Sequence, residues 1–108
     1  MEIKEFQDIS VRTMPKNLRF PDILVNMCMG ISGESGEVID LFKKHLFQGH
    51  SLDKKKVAEE IGDLMFYIVN LCTLLDLDMR VVLQGNVDKL KKRYPNGFEV
   101  EKSINRGD

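Results

Sequence analysis

Four carboxylates carry the chemistry that this sequence offers. Glu34 and Glu37 stand three residues apart, and Glu60 and Asp63 repeat the interval further along the chain. On a helix, residues at this spacing project from one face. The interval from Glu37 to Glu60 holds the end of one helix, a short turn and the start of the next. An antiparallel hairpin therefore brings the two pairs face to face. Carboxylates gathered without cations repel one another and resist desolvation. A hard divalent cation such as Mg²⁺ resolves that conflict, because it takes oxygen ligands and shares them with phosphates. The plain alternative is a pair of solvated acidic helix faces. No histidine stands in an E-x-x-H position, which argues against a ferritin-like di-iron centre.

The elements that must hold these residues read as about four helices and no strand. Ile3, Phe6 and Ile9 mark a first helix ending before Pro15. Residues 17–21 read as a loop. A long second helix is expected from about Asp22 to Phe47, closing at Gly49. Ser51 or Asp53 can cap a third, running to about Leu75, and Asp76 or Asp78 a fourth, ending at Tyr94 before Pro95. Residues 96–108 read as a polar, irregular tail of a single domain spanning 1–108. The expected class is all-α, an antiparallel helical bundle completed by oligomerisation.

The third helix carries an apolar face through Val57, Ile61, Leu64, Ile68, Leu71 and Leu75, and a second row through Met65, Val69 and Cys72. Burial on two sides in so short a chain points to a subunit interface. A polar stripe of Glu60, Asp63, Tyr67 and Asn70 crosses this apolar ground. Buried polar groups need partners or ligands. In the second helix Gly30, Gly33 and Gly36 each weaken helix propensity by ~1 kcal/mol against Ala, which fits close helix approach or room for a ligand. The fourth helix adds a stripe of Asn86, Lys89 and Arg93; it gains meaning if it faces the acids, since phosphoryl transfer needs cations to balance oxyanion charge. Lys43 and Lys44 can serve the same end. His45 and His50 read as surface or capping groups.

Bulk properties narrow the field. The 108 residues carry a net charge of -1, with 43% hydrophobic and 31% charged residues. That balance gives no basic field for nucleic acid, and no apolar run suits a membrane span. The acidic start MEIKEFQDIS does not read as a secretory signal, so a cytoplasmic location is expected. Cys28 and Cys72, each among apolar residues, read as small buried hydrophobes.

The segments GISGESGEVIDLFKKHLFQGH, AEEIGDLMFYIVNL and NVDKLKKRYPNGF, in that order and followed by EKSINR, resemble the MazG-like group of all-α nucleotide pyrophosphatases. The likeness runs from about Met27 to Arg106. It implies Mg²⁺-dependent cleavage between the α- and β-phosphates of a nucleoside triphosphate, with Mn²⁺ as a substitute, in a homodimer or homotetramer whose sites are enclosed by helices of two subunits. Under it, Glu34, Glu37, Glu60 and Asp63 match metal ligands, and Glu37 or Glu34 orients the attacking water. Tyr67, Asn86, Lys89, Arg93 and Lys44 fall to the substrate, and Phe47 stands where some relatives place a tryptophan against the base. Two rival readings are a pyrophosphohydrolase for another nucleotide, such as phosphoribosyl-ATP or a modified dNTP, and a catalytically silent helical dimerisation module.

Overall fold

The structure is a computed structural model that describes residues 1–106. The chain forms α1 (Ile3–Ser10), a 3-10 turn (Val11–Thr13), α2 (Phe20–Phe47), α3 (Lys54–Leu74), α4 (Met79–Arg93) and α5 (Val100–Ile104). The all-α class holds, with no strand among the described residues. The expected irregular tail is corrected. Only residues 100–104 depart from it, forming the short helix α5 that takes in EKSI of the EKSINR segment, while Gly107 and Asp108 lie outside the described residues.

Local chemistry explains the helix ends. Pro21 sits in the first turn of α2, where its missing N–H costs nothing. Gly49, at φ 74°, lets the His50 N–H turn back to the Lys44 carbonyl and close α2. Of the two candidate caps for α3, Asp53 acts, accepting from the Lys55 N–H at 2.9 Å. Asp78 does the same for α4 through the Arg80 N–H at 2.9 Å. Asp76 takes the left-handed conformation, φ 56°, in the turn between α3 and α4. Asp pays less for it than most side chains do.

α2 and α3 form the main hairpin, and α3 is its central helix. One side of α3 offers Tyr67, Leu71 and Leu74 to Met14, Ile23 and Met27. Its other side offers Val69 and Cys72 to Met79, with Phe6, Met65 and Ile68 around them. Met27 and Val69 are fully buried, each worth about 1.5–3 kcal/mol in removed apolar surface. Cys28 differs from its expected burial. It faces outward on α2, one residue beyond the buried Met27 row, whereas Cys72 is buried as expected.

A polar clasp ties the N-terminal helix to this core. The Gln7 side-chain amide donates to Thr73 Oγ1 at 3.1 Å and to the Leu77 carbonyl at 2.9 Å, and its oxygen accepts from the Met79 N–H at 2.9 Å. Asn70, fully buried, donates to the Ser10 carbonyl at 3.1 Å. α4 packs chiefly on α1, and its apolar residues Leu83, Val87 and Leu90 stay exposed. The result is an open molecule. Its radius of gyration is 17.2 Å, against about 13 Å for a compact domain of this length.

Candidate active site

The α2–α3 hairpin brings Glu34, Glu60 and Asp63 together. One carboxylate oxygen from each lies within 4.8 Å of the others. The geometry follows from helical spacing: Glu60 and Asp63 share a face of α3, and Glu34 meets them from α2. Glu34 and Glu60 are half-buried and Asp63 is exposed. Oε2 of Glu34 is inaccessible to water and has no hydrogen-bond partner. A buried carboxylate oxygen in that condition carries a substantial desolvation cost.

The Glu60 carboxyl is raised above its ordinary value. The first cause is the Glu34 carboxyl lying at hydrogen-bonding range of Glu60; partial burial and the negative charges of Glu34 and Asp63 add to it. The trio thus favours a proton or a cation over three free negative charges. Its donor set, all carboxylate oxygen, suits a hard divalent ion. These residues fit the Mg²⁺ that the sequence pattern implies.

Beside the trio lies an open recess of about 340 Å³, lined by Thr13, Glu34, Asp63, Phe66 and Tyr67. The Tyr67 ring sits on Gly30 of α2, where any Cβ would overlap it. Phe66 meets the Tyr67 ring edge-on, with centroids 5.2 Å apart and planes at 82°. Gly30 therefore serves close helix approach. Gly33 and Gly36 have nothing within reach of an added Cβ.

The other sequence-marked residues stand apart from this group. Glu37 is exposed, one turn beyond Glu34, and lies outside the trio. Lys44 pairs with Asp40 at 2.9 Å, and Lys43 meets the same carboxylate at 3.3 Å; both cations hold Asp40 below its usual range. Glu37 adds a weaker pull on Lys44. Asn86 and Lys89 are exposed on α4, and the Arg93 guanidinium lies 6.0 Å from the centre of the Tyr94 ring. None of the three lines the recess. Phe47, at the end of α2, is 80% exposed and several turns from Glu34. Asn70, the last member of the polar stripe, is engaged by the N-terminal clasp.

Two recess residues escaped the sequence reading. Phe66 follows Asp63 by three positions, so helical spacing alone could have placed it beside the acids. Thr13 had no such signal, because only tertiary packing brings the 3-10 turn to α3.

The α2–α3 hairpin thus presents a cluster of three carboxylates, close enough together to ligate one cation, beside an aromatic recess. Residues 25–98 match the MazG nucleotide pyrophosphohydrolase domain model. The Gene 37 protein of Mycobacterium phage L5 is 33% identical over 82 residues, covering 72% of each chain. No solved structure matches this chain. The chain belongs to the MazG nucleotide pyrophosphohydrolase domain family, and nucleotide pyrophosphate hydrolysis is the general chemistry that this membership supports.

Proposed function

We propose that the protein hydrolyses a nucleoside triphosphate, ribo or deoxy, to the monophosphate and pyrophosphate in the presence of Mg²⁺. The observation that carries this reading is the buried, unpartnered Oε2 of Glu34 beside Glu60 and Asp63. Such a group needs a counter-charge, and family membership supplies the reaction class. Glu34, Glu60 and Asp63 would hold the cation. When bound, that ion supplies Lewis-acid stabilisation of phosphate charge. Glu37, outside the trio and open to solvent, orients the attacking water. Tyr67, fixed on Gly30, offers its ring to the substrate.

A second copy of the chain completes the site in this reading. α2 and α3 leave Ile39, Leu46, Phe47 and Ile61 exposed, and α4 leaves Leu83 and Val87 exposed. Apolar surface of this extent favours association. A partner's α4 laid over the hairpin would bring its basic stripe, the counterpart of Asn86, Lys89 and Arg93, toward the carboxylates.

Pyrophosphate release from the eight standard NTPs and dNTPs, with and without Mg²⁺, tests the reaction. Release from at least one nucleotide, dependent on Mg²⁺, is expected. An E60Q/D63N double variant that keeps its helical circular dichroism and full activity would sink the assignment.

A further inference from the structure

The family match begins at residue 25, yet the recess beside the carboxylates is lined in part by Thr13. The segment carrying Thr13 is held firmly. Asn70 donates to the carbonyl of Ser10, the residue just before the 3-10 turn. Gln7 bonds to Thr73, Leu77 and Met79. Met14, just after the turn, is buried against Ile23, Met27 and Tyr67. The turn is therefore anchored on both sides, and Thr13 itself stays exposed at the recess.

The register along α3 shows which part of a nucleotide meets this wall. Asp63, Phe66, Tyr67 and Asn70 follow one another along the helix, from the carboxylate end toward the clasp. Phosphates belong at the carboxylate end, with the cation. Beyond Glu34 and Asp63 the recess is lined by Phe66, Tyr67 and Thr13, which carry two aromatic rings and two hydroxyls, with no cation among its lining residues. That lining suits an uncharged, partly planar group. A hydroxyl can both donate and accept, so it can discriminate between polar edges that differ in hydrogen-bond pattern.

We infer that Thr13 is a specificity-determining residue, whose hydroxyl contacts the nucleoside half of the substrate and sets the ranking among nucleotides. This rests on the proposed pyrophosphohydrolase reading. Gln7 and Asn70 act through it as positioning residues, because they hold the turn at the recess.

The test compares kcat/KM for pyrophosphate release from the eight standard nucleotides, with Mg²⁺, in the unsubstituted protein, T13V and T13S. T13V keeps shape and removes the hydroxyl; because Thr13 is exposed, the variant is expected to fold, which its helical circular dichroism checks. One lost hydrogen bond predicts a change of about 5- to 10-fold in the ratio between the preferred nucleotide and its nearest competitor. T13S, which keeps the hydroxyl, restores the original ranking. A purely structural role would lower all eight rates together and leave their ratios unchanged. Unchanged ratios in T13V, with the unsubstituted protein active, overturn the role of Thr13 and leave the reaction standing. Absence of release by the unsubstituted protein from all eight nucleotides overturns the reaction, and this inference with it.

Discussion

Two groups of polar side chains lie along the same helix, α3, and they have opposite fates. Toward its C-terminal end, Asn70 and Thr73 meet Ser10 and Gln7, and the Gln7 amide uses both its oxygen and its nitrogen. Toward its N-terminal end, Glu60 and Asp63 meet only another carboxylate, Glu34, one of whose oxygens is buried without a partner. The first group makes most of its hydrogen bonds within the chain and ties the N-terminal helix to the core. The second lacks compensation that the chain itself can supply. A buried polar group without a partner calls for an explanation, and for a cluster of carboxylates a counter-charge is the natural one. Asn70 adds a qualification, since its Oδ1 is also buried and unpartnered; its nitrogen is nevertheless committed to the clasp.

The contrast can be broken most strongly at the acidic group. E60Q/D63N should lower Mg²⁺-dependent pyrophosphate release at least about 10³-fold, since ligands and the charge they hold are lost together. The same neutral pair should raise the melting temperature of the metal-free protein, because it removes the repulsion around Glu34. Calorimetry in chelator reads the second effect. A lowered melting temperature there would mean that the trio is satisfied without a cation.

At the clasp the sign reverses. Q7L leaves the Met79 N–H, Thr73 and the Leu77 carbonyl without their partner, and should cost about 2–3 kcal/mol in urea unfolding. A loss below about 0.5 kcal/mol would show that water replaces the amide and that the clasp is not a closed network.

Glycine substitutions sharpen the same distinction on α2. G30A drives a methyl into the Tyr67 ring, and overpacking of this kind costs about 1–3 kcal/mol. G36A meets open space and should gain up to about 1 kcal/mol from helix propensity. Equal effects at the two positions would show that Tyr67 yields without resistance.

The smallest effect is expected from pH. Glu60 is raised above 4.5, so in the metal-free protein the native state holds its proton more tightly than the unfolded chain does. Stability should then fall as pH rises from about 4.5 through the raised value, and Mg²⁺ should flatten that fall. Asp78 behaves oppositely. Its hydrogen bonds from Arg80 lower it from 3.8 to about 2, so its contribution is present above the ordinary value and is lost as pH falls toward 2. Melting temperatures across this range, with and without Mg²⁺, separate the two groups, and a D78N variant should lose only the acid-side part.

Much of this was legible in residue order. Helix periodicity, Pro15, Pro95, Gly49 and the capping aspartates marked the main helices, because these signals act within one or two turns of chain. The E-x-x-E and E-x-x-D spacings likewise marked the carboxylates. The spacing could not separate Glu37 from Glu34, since both share a helix face. It read residues 96–108 as irregular, because a helix as short as α5 leaves little periodic signal. It also grouped Asn70 with Glu60, Asp63 and Tyr67 in one polar stripe.

Sequence alone therefore determined the helical class and the family, and it marked four carboxylates as candidates. Tertiary structure decided which of those carboxylates meet, seated Tyr67 on Gly30, turned Asn70 to the clasp and carried Thr13 to the recess. The physical reason is range. Helical spacing orders side chains around one axis, whereas the approach of α2 and the N-terminal turn to α3 is set by packing between residues far apart in the chain. That packing gave the four carboxylates their division: three within 4.8 Å of one another, and Glu37 left facing solvent.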